Sequence, residues 1–380
     1  MDPFERLPAE LINRILLCTS DFVGIESLLI ASHRVHAIFH GRPGLLFQEL
    51  VASNAIASAT PIQEIIQKVQ LLHSPSFNVH GVDEYIQCTN GVHHQHNIHS
   101  YDTEVLEMVR ISAQIQRLAC KCLSTMQQNF ISVVSGLPAG SLPGSTRAEK
   151  AAKPFSWVEV SNVYWALWHL RHYSDLHKYA SRQNWSEDSM KRLEEYHTWN
   201  SIDYLNAEII ATVAAVLADL GFSPIYSYPY QGEDEESLQG VWWYPMETPP
   251  PLFLSFDLER SIDITVWPSP PTPQSDSTTE AWHLSPGYCG KAPSQMALYK
   301  DWARVLAYQG PNPNYTLLRI QPYRRLGVLV WDAWRMYSTG LMQWNNGEQI
   351  ETPDRGLTDV QHVALKEWHS RWIALAGNTC

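Results

Sequence analysis

A chain of 380 residues and 43.3 kDa is long enough to bury a core of its own, as one large domain or two, and 44% apolar content is ordinary for a folded protein. Its formal charge of −12 argues against a nucleic-acid backbone as partner, because phosphate binding needs a clustered basic face. No run of eighteen apolar residues occurs, and Asp2 and Glu5 stand where a secretory leader is basic, so neither secretion nor a membrane span is expected.

The first fifty residues read as three short helices. Pro8 suits a first helical turn, since its missing N–H would be unpaired there, and Glu10 lies near the positive end of the helix dipole. Leu11, Ile12, Ile15 and Leu16 form one apolar stripe, with Asn13 and Arg14 off it. Ser20 and Asp21 offer capping chemistry, Gly24 permits a bend, and Ile25, Leu28 and Leu29 renew the stripe. Ser32 caps a third helix bearing Val35, Ile38 and Phe39. A unit of about forty residues falls near the size below which a lone core rarely suffices, so part of its apolar surface is expected to meet another surface.

At these residues the chain resembles an F-box, in the form found among fungal F-box-like proteins. The resemblance rests on Leu7-Pro8-x-Glu10-Leu11, Ile15-Leu16, Asp21, Leu28-Leu29, and the stretch from Ala31-Ser32 to Phe39; relatives often carry Pro where this chain has His33. It implies docking to the linker subunit of a cullin-RING ubiquitin ligase, with Leu7, Pro8, Leu11, Ile15, Leu16, Leu28, Leu29 and Phe39 forming or supporting the docking surface. The remainder of the chain would select a protein target. Two further stretches look like segments of the same proteins: residues 155–179, and Tyr323-Arg324-Arg325-Leu326-Gly327 leading into Trp331-Asp332.

Beyond an F-box-like unit at 1–52, helical periodicity covers Pro61–Leu72 and Thr103–Val134, the latter with Val105, Val109, Ile115, Leu118 and Leu123 along it, in a connecting region at 53–135. Residues 136–153, rich in Gly, Pro, Ser and Ala, read as a flexible loop or linker. All fifteen tryptophans follow, from Trp157 onward, so 154–380 is an aromatic, mainly helical body. Acidity also belongs there: residues 1–156 carry 13 acidic and 11 basic groups, leaving 26 and 16 beyond. Helices are expected at 157–179, 186–220 (one or two, stopping at Gly221), 293–308, 323–344 and 358–375. Phe253–Phe256 and Ile262–Val266 suggest a minor β-hairpin, flanked by disordered loops near 230–240 and 268–283. The fold class is therefore mainly α.

Candidate chemistry is sparse. His93, His94, His96 and His99, near His80 and Cys88, carry metal-ligand atoms, but nothing in their spacing makes three or four converge, and they read as solvated loop histidines. The six cysteines show no paired framework and read as reduced thiols of a cytoplasmic or nuclear protein. No serine-hydrolase elbow, zinc-protease helix, phosphate loop or dinucleotide fingerprint occurs, and no cofactor is implied. Trp165, Trp168, Trp242, Trp243, Trp331 and Trp334 suit core packing, a target-binding surface, or a ligand pocket. The expected function is a non-catalytic substrate adaptor of an SCF-type ligase. The alternatives are a small-molecule-binding protein or enzyme with a Trp-rich pocket, and an interaction scaffold unconnected with ubiquitin.

Overall fold

The computed structural model describes residues 2–19, 21–90, 102–137, 144–197, 204–222, 320–339 and 341. Among these residues 76% are helical and none lies in a strand. The expected hairpin at 252–267, and the expected helices at 293–308 and 358–375, lie outside the described residues.

Thirteen helices are described: α1 (Ala9–Cys18), α2 (Phe22–Ala31), α3 (His33–His40), α4 (Pro43–Ser53), α5 (Thr60–His73), α6 (Val82–Asn90), α7 (Asp102–Ser135), α8 (Gly144–Ala151), α9 (Trp157–Arg182), α10 (Glu187–His197), α11 (Tyr204–Asp219), α12 (Ile320–Arg325) and α13 (Ala333–Ser338). Two long helices organise them. α7 packs against α2, α4, α8 and α9, and α9 against α5, α7 and α11. Because α7 is covered on several sides, Cys120 and Cys122 are both buried although they point in different directions, and burial pushes each thiol up to about 12.

Local chemistry sets the helix ends. Asp21 accepts from the Gly24 amide at 2.5 Å, and Ser32 Oγ from the Val35 amide at 3.1 Å, which caps α2 and α3. Gly24 does not bend the chain: it lies in the first turn of α2, where a Cβ would come within 2.9 Å of the capping carboxylate. Ser156 and Glu159 form a reciprocal capping box on α9. α11 ends at Gly221, whose φ of +92° lets the Phe222 amide donate back to the Leu217 carbonyl at 3.0 Å.

The apolar core runs from Ile12 and Leu16 of α1 through α7, α9 and α11 to Trp331 and Leu341. A smaller cluster joins Leu72, Val79, Val82 and Tyr85 to Leu176, Tyr179, Trp185 and Leu193 at the far end of α9. The N-terminal helices are thus continuous with the main core. α4 runs through the boundary expected at residue 52, and α8 occupies 144–151 of the stretch read as a linker. Arg147 and Ala151 are buried there, so α8 is held by packing that its small, polar composition does not advertise.

The segment 320–341 is stapled onto this core. It forms two short helices where one longer helix is expected at 323–344, because the chain turns at Gly327, whose φ is +67° and whose Cβ position lies 2.6 Å from Met126 Sδ. Arg324 donates to both carboxylate oxygens of Glu208 at 2.8 and 3.1 Å. Arg335, fully buried, donates to both oxygens of Glu159 at 2.6 and 2.7 Å and to the carbonyls of Ala151, Lys153 and Pro154. Its guanidinium lies 5.2 Å from the Trp331 ring centre, and that ring stacks on Phe155 with an interplanar angle of 6°.

Candidate functional site

α1 divides its apolar residues between two directions. Ile12 and Leu16 are sealed in the core, whereas Leu11, one residue round the helix from Ile12, is 47% exposed. Pro8 is exposed and Ile15 half-buried. Pro8, Leu11, Ile15 and Cys18 follow at steps of three and four, so they share the outer edge of α1. Leu7 and Leu28 are half-buried against the core. Leu16, Leu29 and Phe39 are core residues, so of the eight docking candidates these three can only support such a surface from within. The expected stripe was wider than one interface needs, and the fold takes its inner half.

The layer is fixed to the body by polar contacts as well as by burial. Gln116 Oε1 on α7 accepts from the Phe22 amide at 2.7 Å, and Arg117 pairs with Glu26. Trp157 Nε1 on α9 donates to the Ala55 carbonyl at 3.2 Å. The elements that follow α1 are therefore tied to α7 and α9.

A second feature lies inside the molecule. On α9, Arg171 Nε donates to Asp175 Oδ2 at 2.6 Å, His73 Nε2 on α5 lies 3.0 Å from the same oxygen, and Arg171 Nη1 reaches Gln114 on α7 at 3.3 Å. Tyr85 on α6 meets His172 Nε2 at 2.5 Å. Burial alone would raise the Asp175 carboxyl, but the His73 hydrogen bond and the Arg171 charge outweigh it and hold it below the ordinary carboxylate value. This polar layer separates Leu170, in the main core, from Leu176, in the smaller cluster. The His73–Asp175 contact ties α5 to α9.

The described tryptophan candidates differ in burial. Trp168 and Trp331 are core side chains, and Trp331 Nε1 donates to the Leu326 carbonyl at 2.6 Å. Trp165 is half-buried with its ring 5.2 Å from that of His169, and Trp334 lies on α13. Trp242 and Trp243, with His93, His94, His96 and His99, lie outside the described residues. Among the described residues no group of three or more His, Cys, Asp or Glu is placed to hold a metal ion, and no single helix is long and apolar enough to cross a membrane. Cys18 and Cys88 are free and exposed.

Sequence reasoning missed the ion pairs and the α9 polar layer. One signal was present, since His169, Arg171, His172, Ser174 and Asp175 interrupt a helix otherwise suited to the core. The partners lie too far away in sequence to be named from it: 176 residues separate Glu159 from Arg335.

Among the described residues the protein is mainly helical, with Leu11 exposed on the N-terminal layer. Comparison with models of protein families, with curated proteins and with solved structures gave no match.

Proposed function

We propose that the protein is a substrate adaptor of a cullin-RING ubiquitin ligase of the SCF type, docking the linker subunit through the outer edge of α1 and holding a protein target on the rest of the molecule. The observation that carries this reading is the outward placement of Leu11, with Pro8 and half-buried Ile15 beside it, in the segment that resembles an F-box. Such an aliphatic edge loses its unfavourable hydration on association. The mechanism is proximity: bringing the target to the ligase raises its effective concentration there, and the ubiquitin chemistry belongs to other subunits. A cytoplasmic or nuclear setting follows from that role.

Affinity purification of the tagged full chain from cells, wild type beside Leu11→Asp, tests the reading. Co-purification of linker subunit and cullin with wild type, and their loss from the variant, is the expected outcome. Absence of both proteins from the wild-type sample contradicts it. If both co-purify but target turnover is unaffected by the variant, the scaffold alternative replaces the adaptor.

A further inference from the structure

Residues 27–48 contain no Asp or Glu, although the whole chain carries a charge of −12. This stretch spans the end of α2, all of α3 and the start of α4, and holds Arg34, Arg42, His33, His36 and His40. Both arginines are exposed, and neither guanidinium forms an ion pair among the described residues. His33, His36 and His40 recur at steps of three and four along one side of α3, and the rings of His36 and His40 are 4.4 Å apart. The opposite side, Val35 and Phe39, is buried. Asp2, the carboxylate that reaches this helix, is engaged by Ser32 Oγ at 2.6 Å and by the Arg34 amide at 3.2 Å.

Large exposed aliphatic side chains are few: among the described residues they are Leu11, Ile30 at 78% and Leu45 at 50%. Ile30 lies two residues before Ser32, the cap of α3, and Leu45 three residues beyond Arg42. The helix between them has eight residues, a length of about 12 Å. The exposed surface of this stretch therefore carries, in chain order, Ile30, Arg34, Arg42 and Leu45.

We propose that this face binds an acidic segment of a partner protein, whose carboxylates meet Arg34 and Arg42 while apolar side chains cover Ile30 and Leu45. Charge complementarity selects the occupant: with Asp2 already engaged by Ser32 Oγ and the Arg34 amide, the exposed Arg34 and Arg42 attract acidic chains on a molecule that is otherwise negative. A lipid surface fits less well, because a membrane-lying helix turns a continuous apolar face outward, whereas α3 turns its apolar face into the core. The surface differs from the Leu11 edge of α1, and the inference stands without the ligase reading.

Fluorescence anisotropy of two labelled synthetic peptides, one of alternating Glu and Leu and one of alternating Lys and Leu, tests the proposal against the full chain at low and physiological salt. The Glu-Leu peptide is expected to bind, to weaken as salt rises, and to lose roughly tenfold in affinity with Arg34→Gln plus Arg42→Gln; the Lys-Leu peptide is expected not to bind. Ile30→Asp, at a site exposed enough to leave the thermal midpoint unchanged, should weaken the same complex. Equal binding of the two peptides, no binding of the Glu-Leu peptide, or indifference to the arginine variants overturns the proposal. So does tighter binding to phosphatidylserine vesicles than to the Glu-Leu peptide, which would assign the face to a membrane.

Discussion

The two ends of the described fold attach to the same core by opposite means. The N-terminal layer, α1 to α4, is held by aliphatic burial, short polar caps and a few contacts to α7, and it leaves Leu11, Ile30 and Leu45 at the surface. The segment 320–341 buries two bidentate ion pairs and two arginines with almost no exposure. Apolar burial tolerates an uncovered neighbour at little cost, so one face of a helix can serve the core and the next a partner. Buried charge tolerates no such gap, because an unpaired ion in the interior loses its hydration without compensation. The N-terminal layer is accordingly where a binding surface can reside, and the staple is where a single change does most harm.

The sharpest way to break this contrast is Arg335→Ala. It strands the Glu159 carboxylate, and the expected loss is about 3–5 kcal/mol of unfolding free energy, measured by urea denaturation. Arg335→Met plus Glu159→Met should recover only part of that loss, since Glu159 also closes the α9 capping box and accepts from the Asp332 amide at 3.0 Å. Gly327→Ala is expected to cost about 1–3 kcal/mol by the same measurement, because a positive φ and a 2.6 Å approach to Met126 both oppose a Cβ. At the other end, Asp21→Ala removes the α2 cap and should cost about 0.5–2 kcal/mol.

A pH-dependent effect belongs to α9. Burial, followed by the Lys68 charge, lowers His169 from 6.5 to about 4. Between those values the unfolded chain is protonated at this residue and the folded one is not, so stability should rise with pH across the window. Unfolding near pH 5 then takes up close to one proton at this site. His169→Gln should flatten that slope in melts recorded from pH 4.5 to 7, and an unchanged slope would remove His169 from the account. Smallest of all should be Leu11→Asp, which is expected to leave stability within about 0.5 kcal/mol, because the site is exposed and an acidic residue in the first turn suits the helix dipole.

Much of the helical scaffold was legible in the residues. The periodicity of α5, α7 and α9, the caps Asp21 and Ser32, and the stop at Gly221 are local signals, and local structure obeys them. The division of Leu11 from Ile12 was not legible, since both lie within one apolar stripe and only tertiary packing decides which is covered. Gly24 misled because a glycine required for a tight cap reads the same as one required for a bend. The two later stretches singled out by resemblance, 155–179 and 323–332, proved to be packing partners: Phe155 stacks on Trp331, Asn162 Nδ2 donates to the Val330 carbonyl at 3.3 Å, and Glu159 accepts from Asp332. No sequence pattern announced that pairing, because each half makes sense only beside the other.

Hydrogen exchange of the full chain with and without purified linker subunit tests the central claim most directly. Slowed exchange confined to α1 and the adjoining turn of α2, with α9, α12 and α13 unchanged and the effect lost in Leu11→Asp, is the predicted result. Protection concentrated on α9 or the 320–341 segment, or no protection anywhere, would contradict it.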